Sequence, residues 1–142
     1  MEPSVHLSPG ADNNGFAVML AQLIRQNIDD RPEKKEAMGK MTGRVALVVE
    51  DLSLAVTLRF EEGRLTVHDG VVGIPDLTVR APSEWHTRMS LVELEPRLGL
   101  PNPRGDVARE VFEASRRGDV KVYGMFTSLP LMLRLTQVMS VV

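Results

Sequence analysis

The chain has 142 residues, 17 of them basic and 19 acidic, for a formal net charge of -2. It has no cysteine, eight methionines and few aromatics: four Phe, one Trp and one Tyr. This length supports one domain around one core. The charge balance argues against a nucleic-acid binder, and the missing cysteine excludes disulfides, thiolate chemistry and cysteine-built zinc sites. A cysteine-free chain suits the reducing cytoplasm.

Residues 1–15, MEPSVHLSPGADNNG, carry neither the basic nor the apolar region of a secretory signal. Rich in Pro, Ser, Asn and Gly, they read as a flexible lead-in to a single domain over residues 16–142. Residues 16–30 predict a helix, with Phe16, Leu20, Leu23, Ile24 and Ile28 on one stripe. Asp12, Asn13 or Asn14 is available as its cap, and Pro32 ends it or begins the next turn. Glu33, Lys34, Lys35 and Glu36 read as a solvated run.

The period then changes to two. Residues 44–50 are apolar on both faces, as a covered central strand requires. Residues 53–60 place Leu54, Val56, Leu58 and Phe60 on one face and Ala55, Thr57 and Arg59 on the other. Glu61, Glu62 and Gly63 form a hairpin turn, and residues 64–68 return. Residues 76–80 predict a fourth strand. Ser83 is placed to cap a helix bearing Trp85, Met89, Leu91, Val92 and Leu94. Residues 96–105 hold three prolines and two glycines and read as a loop. Asp106 is placed to cap a further helix striped with Val107, Ala108, Val111 and Phe112, which Gly118 stops. A fifth strand turns Val120 and Val122 inward. Helices and strands do not alternate, so the expected class is α+β, a five-stranded, mostly antiparallel sheet covered by helices.

The last segment, residues 125–142, is unusual. On a helical wheel Thr127, Arg134, Gln137 and Ser140 form a polar stripe. Met125, Leu129, Met132, Leu135 and Met139 lie opposite, and Phe126, Leu131, Leu133 and Val138 spill onto the flanks. That arc is wider than one docked face needs. Pro130 falls in the first turn if Thr127 or Ser128 caps the helix. Three readings stand: a helix surrounded by its own protein; a membrane span, which would need about 18 apolar residues and tolerates Arg134 and Pro130 poorly; or a helix whose second face meets an apolar ligand, a membrane surface or a second subunit.

Four stretches in order resemble the sterol carrier protein type 2 family: GRVALVVEDLSLAVTLRFEEGRLTVHDG; PDLTVRAPSEWHTRM, with Asp76, Ser83 and Glu84; RRGDVKVYG, with Gly118, Lys121 and Gly124; and the closing Leu- and Met-rich helix. The resemblance implies a sterol-carrier-like fold with an apolar cavity walled by the sheet and closed by helices, the last among them. It implies non-enzymatic binding or carriage of a fatty acyl chain, a sterol or a similar lipid, without a cofactor. The residues expected to line that cavity are Trp85, Met89, Phe112, Met125, Phe126, Leu129, Met132 and Leu133. Expected partners are the lipid itself, transiently a membrane surface, and a second copy of the chain; nucleic acid is not among them. The competing expectations are a partner-binding or dimerisation module whose cavity is filled by its own side chains, and an accessory subunit presenting lipid to an enzyme.

No motif with the spacing of a hydrolase or metalloprotease occurs. His6 lies in the lead-in. His68 neighbours Asp69, but adjacent strand residues face opposite ways, so a surface position is expected. His86 is expected on a solvated helix face. Glu50-Asp51 and Glu61-Glu62 read as turn residues. Arg97, Arg104, Arg109, Arg116 and Arg117 concentrate positive charge that either meets lipid phosphates or decorates a soluble helix.

Overall fold

A strand apolar on both faces needs cover on both, and β2 (Gly43–Val49) has it. The computed structural model describes residues 3–90, 102 and 104–141. In it β2 runs between β3 (Leu54–Glu61), antiparallel, and β5 (Leu77–Ala81), parallel. Beyond β3 lies β4 (Arg64–Asp69), antiparallel to it, and beyond β5 lies β6 (Lys121–Tyr123), also antiparallel. The far edge is β1 (Ser4–Leu7), parallel to β4, giving the order β1-β4-β3-β2-β5-β6.

The class is α+β as expected, with six strands where five were predicted. The additional strand, β1, falls inside the predicted lead-in. Its apolar positions are only Val5 and Leu7, too few to show an alternating pattern, yet Val5 reaches the core.

Val45, Leu47, Val56, Leu58, Leu65, Val67, Leu77 and Val79 are buried on one face of the sheet. α1 (Gly15–Asp30) and α2 (Pro32–Gly39) pack together there, joined by α5 (Leu129–Met139), with α3 (Ser83–Met89) and α4 (Asp106–Arg117) as a second helical pair. The other face carries Arg44, Ala46, Thr57, Arg59 and His68. Residues 70–76 cross it, carrying the chain from β4 over β3 and β2 to β5. Thr57 pins this crossing: its hydroxyl donates to the Gly70 carbonyl at 2.8 Å and accepts from the Val72 amide at 2.9 Å. Thr57 is therefore fully buried although it lies on the outer face.

The caps refine several expectations. Asn14 caps α1, accepting from the Phe16 and Ala17 amides at 3.1 Å. Its amide also donates to Asp69 Oδ1 at 2.8 Å and to the Ala55 carbonyl at 3.1 Å, tying the helix start to β3 and β4. Pro32 opens α2 and Gly118 closes α4 in the left-handed region. Ser83 is the first residue of α3 rather than its cap; Asp51 reaches across from the 3-10 turn Glu50–Leu52 and accepts from the Ser83 amide and hydroxyl at 2.7 Å. These bonds hold the Asp51 carboxyl below its ordinary range. Likewise Gly105, not Asp106, occupies the cap position of α4. Leu91, Val92, Leu94 and Arg97, together with Val142, lie outside the described residues.

Asn14→Ala removes a cap and a tertiary tie at once. It should lower unfolding stability by roughly 1–3 kcal/mol in urea titration, whereas Asn13→Ala, outside this network, should change it little.

Candidate functional site: an apolar cleft under the last helix

α5 has two apolar sides, and the fold covers them differently. Leu131 and Val138 are buried where the helix packs along α1 and α2. Polar groups lock this seam. Asn27 Nδ2 donates to the Val138 carbonyl at 2.9 Å, and the Lys34 ammonium donates to the Ser140 carbonyl. Lys34 is thus buried, not part of a solvated run, and burial pulls its pKa below the ordinary value. Gln137 and Ser140, expected on a polar stripe, are buried as well. The wheel gave them a solvated side because it could not show that the helix end enters the α1–α2 seam. The helix begins at Leu129, and residues 125–127 form a turn ahead of it. Pro130 sits in the first turn as expected, with Ser128 at the cap position but no side-chain cap bond.

The other side of α5 presents Met132, Leu133, Leu135, Thr136 and Met139 to a cleft. α4 faces it from across with Ala108, Val111, Phe112 and Ser115, the same i, i+3, i+4, i+7 spacing that defines one helix face. Leu47, Val79 and Val122 of the sheet, with Val120 just before β6, form the floor, and His86 and Met89 of α3 close one end. The volume is about 500 Å³, within the range of about 300–1,000 Å³ common for small-molecule pockets. Two of the polar wall groups look to the protein. Arg109 pairs with Asp106 at 2.6 Å, and the Thr136 hydroxyl donates to the Met132 carbonyl at 3.0 Å. What remains is a surface for an apolar molecule.

The sequence profile of the SCP-2 sterol transfer family matches residues 20–98, more than half of the chain. The chain belongs to this family. Membership carries binding or transfer of a sterol or other lipid as its general activity. Among solved structures, the fold is similar to one described as "UbiJ-SCP2 Ubiquinone synthesis protein", at a TM-score of 0.60 and 18% identity, covering 88% of this chain and 96% of that one. It is also similar to a crystal structure of sterol carrier protein 2, at a TM-score of 0.52 and 16% identity, covering 85% and 91%. Among curated proteins none matches the sequence.

Of the residues singled out from the sequence of this SCP-2 domain, Met89, Phe112, Met132 and Leu133 come together on the cleft wall. Trp85 is half-buried and does not line the cleft, with the Arg88 guanidinium 6.0 Å from its ring centre. Met125, Phe126 and Leu129 do not line the cleft: the turn before α5 sends Phe126 outward to 92% exposure and leaves Leu129 at 45%. The strand and α4 wall residues were legible from their periodicity, but nothing in the sequence said which inward residues face space rather than packing. Three of the five clustered arginines form local pairs. Arg109, Arg116 and Arg117 meet Asp106, Glu113 and Asp119, and Arg88 bridges to Glu110 on α4 at 2.6 Å.

His86 departs most from expectation. It is 5% exposed rather than solvated. Nε2 donates to the Val48 carbonyl at 2.8 Å, and the ring meets Phe16 edge-on at 5.5 Å. With Nε2 as donor, the neutral ring leaves Nδ1 as a lone pair, and Nδ1 has no hydrogen-bond partner. Desolvation lowers the pKa, against the pull of the Val48 and Ala81 carbonyls and of Asp51 and Glu50. His68 is lowered too, first by desolvation and then by Arg59 and Arg44. Among the described residues no group of three His, Asp or Glu side chains is arranged to hold a metal ion. A histidine with a depressed pKa in the fold takes up its proton more readily when unfolded. Stability should therefore fall as pH drops below the ordinary value of 6.5. Denaturant midpoints measured across that range should show the slope, and His86→Gln and His68→Gln should each flatten it.

Proposed function

We propose that the chain is a non-enzymatic cytoplasmic carrier that holds an apolar lipid, such as a fatty acyl chain or a sterol, in the cleft between α4 and α5. The observation that carries this reading is the cleft itself. Two helices turn matching apolar stripes toward one volume of about 500 Å³ instead of toward each other. Burying a CH₂ group is worth about 0.8 kcal/mol, so a long alkyl chain gains enough there to bind without any polar anchor. A filled-cavity packing module accounts less well for that volume. Among the described residues no helix is long and apolar enough to cross a membrane, which leaves α5 as a wall rather than a span.

A second reading, an accessory subunit presenting lipid to an enzyme, accords with the likeness of fold to a ubiquinone synthesis protein. It uses the same cleft and differs in a stable protein partner, which a pull-down from the native host would reveal.

The carrier reading is tested by native mass spectrometry of the purified chain and by displacement of a fluorescent fatty acid. Lipid should co-purify and compete with the probe. Filling the cleft with Ala108→Trp or Leu133→Trp should weaken the probe by roughly tenfold or more while the fold is kept. An empty protein that ignores the probe, or variants that bind it as the wild type does, would end this reading.

A further inference from the structure

We propose that His86 recognises the head of the bound lipid: its Nδ1 accepts a hydrogen bond from a hydroxyl, so the cleft favours a long-chain alcohol over a lipid whose head has no donor. The proposal rests on the carrier reading, whose cleft it uses, and adds a class of head group to it.

Among the described residues, two buried side-chain polar atoms have no hydrogen-bond partner: His86 Nδ1 and His68 Nε2. His68 lies on the outer face of the sheet and does not line the cleft. His86 does. It is 5% exposed and shares the end wall with Met89, three residues on, so the side of α3 that bears both is the side turned to the cavity. The ring has no way to relieve the unmet atom. Nε2 is committed as donor to the Val48 carbonyl at 2.8 Å, because a carbonyl only accepts. That fixes the tautomer and leaves Nδ1 as a lone pair. The Ala81 carbonyl beside the ring is a second acceptor and has no proton to offer. Phe16, edge-on at 5.5 Å, holds the ring from another side. Desolvation keeps its pKa below the ordinary 6.5, so the lone pair stays unprotonated at neutral pH.

A buried acceptor without a donor destabilises whatever state contains it. A hydroxyl at the end of an alkyl chain supplies the missing donor, while the chain lies along the apolar walls of α4, α5 and the sheet. An ether or an ester brings only acceptors, and an ionised carboxylate sets negative charge against a lone pair, so each leaves Nδ1 unpaired. A site with such a group discriminates most strongly against the analogue that fails to satisfy it. Nδ1 is covered by its surroundings. The side chain that shares its end of the cleft is a methionine, unbranched and able to yield to an entering hydroxyl. Arg109 and Thr136 do not compete for that hydroxyl, since Arg109 is paired with Asp106 and Thr136 with the Met132 carbonyl.

The test uses the full chain and displacement of the fluorescent fatty acid by competitors of equal chain length: dodecanol, dodecyl methyl ether and dodecanoate. Dodecanol should compete better than the ether by roughly tenfold, and better than dodecanoate as well. His86→Phe keeps an aromatic ring beside Phe16 but has no lone pair, and should remove the preference for the alcohol over the ether. A second measurement needs no variant. In imidazole nitrogen NMR of the wild type, His86 Nδ1 should resonate as an unprotonated nitrogen; dodecanol should shift that resonance and the ether should leave it in place. An alcohol that competes no better than the ether, or a preference that survives His86→Phe, overturns the inference and leaves the carrier reading standing. So does an Nδ1 that is already protonated or that the alcohol does not move. A protein that does not bind the probe, or a probe that none of the competitors displaces, removes the carrier reading and the inference together.

Discussion

The seam that binds α5 to α1 and α2 sets the position of everything around the cleft. Leu131 and Val138 bury one side of α5 there, and two polar side chains from the neighbouring helices reach its last carbonyls. A buried ammonium is costly by itself. At the C-terminal end of a helix it meets backbone oxygens and the negative end of the helix dipole, which offset that cost. With one side so fixed, the other side of α5 stands over the sheet at a distance that α4 does not close, and the cleft is what is left between them.

The cleft is apolar through composition and through the pairing of three of its polar groups. Arg109, Thr136 and the imidazole Nε2 of His86 all have partners within the protein. The exception is His86 Nδ1, which has no hydrogen-bond partner. Away from that atom, selection by such a wall acts through shape and volume. A methylene more or less changes affinity only modestly in a site of this kind, in keeping with a family described by sterol transfer.

Most of the fold was legible because its signals are periodic. The two-sided apolarity of β2, the alternation in β3 and β4 and the stripe of α1 all survive in the structure. What escaped the sequence was set by tertiary contacts. β1 is too short to display a period. Lys34, Gln137 and Ser140 look solvated in any local window, and are buried only because two distant segments meet. His86 looks like a surface residue on a seven-residue helix until Phe16 and Val48 close around it. Four of the eight residues singled out for the site lie on the cleft wall, and the misplaced three before and at the start of α5 share one cause. The helix starts at Leu129, so the wheel drawn from Met125 had no physical counterpart over its first turn.

α4 touches the core through a single fully buried side chain, Ala114, and leaves Phe112 at 63% exposure. Its arginines are neutralised by neighbouring carboxylates that travel with them, and its bridge to α3 joins two elements of the same pair. Swinging that pair outward as one body would separate no opposite charges from each other. α3 is nevertheless tied down by Asp51 on Ser83 and by His86 on the Val48 carbonyl, so α4, held by the Arg88 bridge and a modest aliphatic contact, is the weakest wall of the hollow, opposite the firmly riveted one.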